Sequence, residues 1–148
     1  MQLKIVRDLI NKLNDQGILY CHWKSNQHVD DAFTGIDDID MLIDQDSILK
    51  VNIILSTLGY KRFRLPEKRS YIGIEDYLGF DEDKGIIVHL HLHYQLTLGE
   101  KFLKGYQLPF AKLVLSRRIY DSKNNIYISS HEDELWLLLI RIALKLRH

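Results

Sequence analysis

The chain has 148 residues, one cysteine, and twenty acidic against twenty basic side chains, for a formal net charge of zero. That length buries roughly 70% of the unfolded surface in a single domain, so folding needs neither a disulfide nor a structural metal. Zero net charge excludes a global field that would draw the chain to nucleic acid or anionic membrane.

The lone Cys21 excludes an internal disulfide, suits a reducing compartment and reads as a small buried strand residue. The first eight residues never become a signal-type apolar run. No stretch reaches the ~20 apolar residues of a membrane span. The expectation is a cytoplasmic domain without a membrane partner.

Leu3, Val6, Leu9, Ile10 and Leu13 recur at three- and four-residue spacings between Lys4, Arg7, Asp8 and Lys12, which predicts an amphipathic helix over 2–15. Gly17 ends it, and 18–23 reads as a first strand that turns at Ser25-Asn26 into a short helical run over 27–33. After Gly35, acidic and apolar residues alternate. A strand there puts Asp38 and Asp40 on one face and Ile39 and Met41 on the other. Asp44 to Ser47 supplies caps for a helix over 48–58. Residues 60–65 read as a strand carrying Lys61, Arg62 and Arg64, with Lys68 and Arg69 in the following turn.

Residues 71–80 and 86–95 form two β-rich runs joined by Asp81-Glu82-Asp83-Lys84-Gly85, a hairpin signal. In the second run His89, His91 and His93 share one face, and Val88, Leu90 and Leu92 the other. Residues 95–109 predict a short helix plus a loop closing one edge of the site, and 117–120 with 126–128 a last hairpin. Ser129-Ser130 opens a final helix over 132–146 with acids in its first turn. That helix is apolar on most of its circumference. It is therefore expected to be buried on several sides, or to meet a second copy or a further C-terminal domain of a longer protein.

Two carboxylates held side by side repel, and a cation or a shared proton relieves them. Mg²⁺ suits the first option, since it takes one or two carboxylates and completes its shell with water and substrate phosphates. Ser25-Asn26 lies at a strand-to-helix turn thirteen positions before Asp38, where an N-cap and backbone N–H groups make a phosphate site. The alternative reading is a solvated acidic edge strand.

A small-residue pair after a first strand, then a spacer, then Asp-apolar-Asp-apolar on a second strand, resembles the polymerase-β-like nucleotidyltransferase superfamily. More narrowly, His22-Trp23-Lys24-Ser25-Asn26-Gln27-His28 with Gly35 and Asp38-Ile39-Asp40-Met41-Leu42-Ile43 is similar to a group of uncharacterised bacterial nucleotidyltransferases. The motifs cover about the first third of the chain, and Lys24-Ser25 stands where the superfamily has Gly-Gly or Gly-Ser.

The resemblance implies one α+β domain over 1–148, a small mixed sheet with helices packed on it. Its implied activity is Mg²⁺-dependent (or Mn²⁺-dependent) transfer of a nucleoside monophosphate from an NTP to an acceptor hydroxyl. Asp38 and Asp40 would hold the metal, and Ser25 with Asn26 and Lys24 the β and γ phosphates. Superfamily enzymes carry a third carboxylate on a strand in about the place of 86–95. Here that strand has histidines instead, so His89 or His91 would replace it as metal ligand, His91 also as general base, with Glu75 and Asp76 in reserve.

Arg62, Arg64 and Arg69 read either as a triphosphate clamp or as edge-strand charges that guard against aggregation. Two rivals remain: a nucleotide-binding module without turnover, and a metal-dependent hydrolase built with zinc on His89, His91 and His93. The acceptor is open, although neutral charge disfavours a long nucleic acid.

Overall fold

A computed structural model describes residues 2–64, 71–100 and 103–145, with 100, 103 and 104 as backbone only. In chain order the elements are α1 (Lys4–Asp15), β1 (Tyr20–His22), a 3₁₀ turn (Asn26–His28), α2 (Val29–Thr34), β2 (Ile39–Ile43), α3 (Ile48–Thr57) and β3 (Lys61–Phe63). There follow β4 (Ile74–Asp81), β5 (Ile86–His93), β6 (Leu96–Glu100), β7 (Leu103–Leu108), α4 (Ala111–Ser116), β8 (Ile119–Asp121), β9 (Ile126–Ile128) and α5 (His131–Lys145). Seven strands form one sheet in the order β3-β4-β5-β2-β1-β9-β8, and β6 with β7 forms a separate pair. Within the large sheet β2 runs parallel to β5 and β1 parallel to β9, the other pairings being antiparallel. The fold class is α+β with a mixed sheet.

Strand alternation decides what each sheet face does. Ile39 and Met41 of β2, Val88, Leu90 and Leu92 of β5, and Tyr77 of β4 join Ile5, Val6, Leu9, Ile10 and Leu13 of α1 and Val51, Ile54 and Leu55 of α3 in the main core. Each fully buried aliphatic side chain there contributes about 1.5–3 kcal/mol. Helix α1 begins without a side-chain cap from its own Leu3. Instead the buried Asp81, at the end of β4, accepts the Ile5 N–H at 3.0 Å, so the β4–β5 turn caps a helix that precedes it by more than sixty residues.

The opposite face is covered over only part of its width. Cys21, Trp23 and Leu42 pack there under Leu96, Leu98, Val114, Leu115 and Leu137 from β6, α4 and α5. Cys21 is buried, as expected for a small strand residue. Beyond Leu42 towards the start of β2 this face carries acids and histidines.

The β4–β5 hairpin and the α1, α3 and α5 helices form where periodicity places them, to within a few residues. Two segments differ. Leu96–Glu100 and Leu103–Leu108 pair as the antiparallel strands β6 and β7, not a short helix and loop, with Leu96 and Leu98 buried in the second cluster. Residues 111–116, for which no element was expected, form α4, with Val114 and Leu115 pressed on the same cluster. The expected positions Lys68, Arg69 and Leu146 lie outside the described residues.

Helix α5 starts on a reciprocal cap: the Ser130 hydroxyl donates to Asp133 Oδ2 at 2.8 Å and accepts the Asp133 N–H at 3.2 Å. Its apolar circumference is not enclosed, since Leu135, Trp136, Leu138, Leu139 and Ile142 are all exposed, Trp136 to 65%. Among the described residues no helix is long and apolar enough to cross a membrane.

Gly79 of β4 leaves no room for a side chain: a Cβ there would stand 2.6 Å from the Tyr60 ring and 2.8 Å from Ile5 Cδ1 of α1. Gly79→Ala is expected to cost about 1–3 kcal/mol by overpacking, read as a lowered urea midpoint at unchanged slope.

Candidate functional site

The site is a product of register. Asp40 of β2 is paired with His91 of β5, and His91 with Asp76 of β4, so the three side chains stand in one row across three strands. One step along, His89 stands beside Asp38, the residue just before β2, with Nδ1 3.1 Å from Asp38 Oδ1 and Nε2 3.3 Å from Asp76 Oδ1. The His91 ring has a carboxylate at each nitrogen: Nδ1 lies 3.4 Å from Asp40 Oδ1 and Nε2 3.0 Å from Asp76 Oδ1. His89 and His91 meet edge to face, their ring centres 4.2 Å apart. Three acids and two histidines therefore share the open part of the face, while His93 lies buried at its inner end.

Burial alone would lower the His91 pKa, but the hydrogen bonds and charges of Asp40 and Asp76 outweigh it and raise it to about 9. Burial alone would raise the Asp40 carboxyl. Hydrogen bonds from His91 and His93 and the Lys24 ammonium overcome that and hold it well below the usual range. Asp76 is likewise lowered, chiefly by its bond with His91. His93 goes the other way: burial pushes it down to about 4, so it is neutral. Its Nε2 lies 3.0 Å from Asp40 Oδ1 and 3.2 Å from Lys24 Nζ, an acceptor and a donor that favour opposite tautomers of the neutral ring. Its buried Nδ1 has no protein hydrogen-bond partner.

Lys24 sits inside this arrangement. Its Nζ donates to Asp40 Oδ1 at 2.7 Å, lies 3.2 Å from His93 Nε2 and stands 4.6 Å from the Trp23 ring centre. Lys24 is therefore engaged with an acid of the pair it was expected to assist. Ser25 takes up a left-handed backbone conformation, φ 53°, and makes no side-chain cap bond. Asn26 is committed elsewhere: its N–H donates to Glu134 Oε1 at 2.7 Å, and its amide NH₂ to Glu134 Oε2 at 3.1 Å and Ser129 Oγ at 2.9 Å. The anion held at this turn is the protein's own Glu134. Nothing in the motif forecast that partner, which lies more than a hundred residues further along the chain.

The structure does not bring Arg62 to the acids. Arg62 pairs with Tyr77 on the main-core face and forms an ion pair with Glu75 at 2.6 Å. Glu75 also accepts from Tyr77 and Tyr94, so this reserve acid belongs to the other side of the sheet. Arg64, just after β3, is exposed. Of the two reserve acids it is Asp76 that reaches the histidines. Alternation in β4 separates it from Glu75, but only the pairing of β4 with β5 shows which of them faces His91.

Among the described residues two groups of three side chains could hold a metal ion, Asp38 with His89 and His91, and Asp40 with His91 and His93; in each, the candidate ligand atoms lie within 4.8 Å of one another. The expected Mg²⁺ site, the oxygens of Asp38 and Asp40 together, does not fit as built. Asp40 Oδ1 already accepts from an ammonium, and the nearest further donors are imidazole nitrogens, which Mg²⁺ takes poorly.

Because the folded pKa of His91 lies above its ordinary value, the stability it confers on the metal-free protein is complete below about pH 6.5 and is lost as pH rises through about 9. With a chelator present, the melting temperature is expected to fall between pH 6.5 and pH 9, and His91→Gln to remove most of that fall; an equal fall in the variant assigns the effect elsewhere. Scans against models of known protein families, and searches of curated proteins and of solved structures, return no match to this chain.

Proposed function

We propose that this chain is a nucleotidyltransferase-like domain that transfers a nucleoside monophosphate from an NTP to an acceptor hydroxyl, releasing pyrophosphate, with the help of a divalent cation. One observation carries the reading. Asp38, Asp40 and Asp76 converge on the open part of one sheet face, beside the turn in which Lys24 and Ser25 follow the neighbouring strand. This supports the arrangement implied by the motif, with Asp76 as the third carboxylate in place of a histidine.

Asp38, with His89 and His91, is the group that fits a cation while leaving the Lys24–Asp40 pair intact. When bound, a cation there neutralises charge on the phosphates during transfer. Lys24 and Ser25 lie at the edge where the β and γ phosphates would sit. In this reading Asp76 would take the proton of the acceptor hydroxyl. His91, protonated near neutral pH without metal, acts first as a countercharge that keeps the carboxylates ionised. The exposed apolar residues of α5 support a contact with a second copy or a further domain.

A second reading, metal-dependent hydrolysis, draws on the two histidines present in each candidate ligand group. Both are tested with radiolabelled NTPs. Nucleotidyl transfer leaves label from the α-phosphate on an acceptor, whereas hydrolysis releases it to water. In the transfer reading Asp76→Asn lowers turnover by about 10²-fold or more, the range for a lost general base. Asp38→Asn, at a half-exposed side chain, weakens Mn²⁺-dependent NTP binding in isothermal titration without changing the melting curve. An Asp38→Asn protein that binds Mn·NTP as tightly as the parent overturns the reading.

A further inference from the structure

We propose that Asp38, His89 and His91 form a site for a divalent ion of the zinc class rather than for Mg²⁺, and that Asp40 orients His91 instead of binding the ion. The ligand set stands whether or not the chain transfers nucleotides.

The two candidate groups share His91 but differ in what else is present. In the inner group, Asp40 with His91 and His93, Lys24 Nζ already lies 2.7 Å from Asp40 Oδ1 and 3.2 Å from His93 Nε2. An ammonium in that position is the cation of the inner group. A metal beside it would meet like charge at contact distance with little water to screen it.

Among the described residues the outer group holds no lysine, and it is open: the side chains of Asp38, His89 and His91 are 46%, 33% and 20% exposed. His91 Nε2 lies 3.9 Å from Asp38 Oδ2. Ligand atoms on a tetrahedral zinc, bound at ~2.0–2.1 Å, stand ~3.3 Å apart, and the candidate atoms of the set already lie within 4.8 Å of one another. Asp76 Oδ1, 3.0 Å from His91 Nε2 and 3.3 Å from His89 Nε2, is at hand as a fourth ligand.

The two nitrogens of His91 divide the roles. Nε2 faces the outer group, and Nδ1 faces Asp40 Oδ1 at 3.4 Å. A ligating histidine that gives its other N–H to a carboxylate is the usual outer support of a metal site, fixing the tautomer and ring orientation. Asp40 is in turn fixed by Lys24, which makes the series Lys24–Asp40–His91–metal. Two imidazoles and a carboxylate select ions of the zinc, cobalt and iron class over Mg²⁺, which prefers oxygen alone.

The test uses the full, untagged chain, titrated separately with Zn²⁺, Co²⁺ and Mg²⁺ by calorimetry, with visible absorption of the Co²⁺ form. Expected are one Zn²⁺ or Co²⁺ per chain, Co²⁺ bands of an imidazole-ligated ion, and Mg²⁺ binding at least about 100-fold weaker. His89→Gln, at a partly exposed position, lowers Co²⁺ affinity about tenfold or more, while His93→Gln changes it less. Asp40→Asn weakens Co²⁺ binding by about 10–100-fold and shifts the Co²⁺ spectrum. If only the melting temperature of Asp40→Asn changes, its orienting role is overturned. Mg²⁺ binding as tight as Zn²⁺, or Co²⁺ affinity unchanged in His89→Gln, overturns the site. NTP transfer that persists with Mg²⁺ alone would then leave the proposed activity standing without it.

Discussion

Three carboxylates on one sheet face, with water on one side and an apolar core on the other, form the constraint that the site is built to relieve. Two unit charges 4 Å apart repel by about 4 kcal/mol at the effective dielectric near a protein surface. The protein answers with its own cations. His91 stands between Asp40 and Asp76, and Lys24 lies on Asp40. Each partner shifts the other, the acids downward and His91 upward, so the cluster holds as a unit. Removing one member leaves another charge partly buried and unpaired, the costly situation for such groups.

The sheet makes this possible by treating its two faces differently. One face carries the main apolar core under α1 and α3, with Arg62, Glu75 and Asp81 towards the β3–β4 side, and its packing holds β2, β4 and β5 in register. The other is sealed only around Leu42, Cys21 and Trp23. His93 lies at the border, buried and neutral, with its ring 5.0 Å from that of Trp23. Polarity and exposure thus rise together from His93 through His91 to His89. A graded face of this kind gives one strand a structural histidine, a paired histidine and an accessible one.

The segment around Lys24 links the cluster to the rest of the chain. Its side chain completes the inner charge balance, while the next residues hold Glu134 of α5 through the Asn26 amide groups. The same turn therefore ties the sheet to the final helix. Any anion drawn to the Asn26 N–H competes with a carboxylate already in place.

Alternation, a local property with period two, was enough to place Asp38 with Asp40 and His89 with His91 and His93, and to assign Ile39, Met41, Leu90 and Leu92 to the opposite face. Helical spacing likewise revealed α1 and α3. What local pattern cannot carry is which strands become neighbours. The parallel pairing of β2 with β5 joins residues about fifty positions apart, and it alone turns two separate stripes into one cluster. The same holds for Asp76, indistinguishable in kind from Glu75 until β4 pairs with β5, for Arg62, which falls on the far face, and for Glu134 at the Asn26 turn. The β6–β7 pairing was hidden because the alternation Leu96-Thr97-Leu98 is short, while Leu98, Phe102 and Tyr106 recur at a four-residue spacing that mimics a helix. Residue chemistry and period were written in the chain; long-range register, set by burial of the common core, decided which of those residues meet.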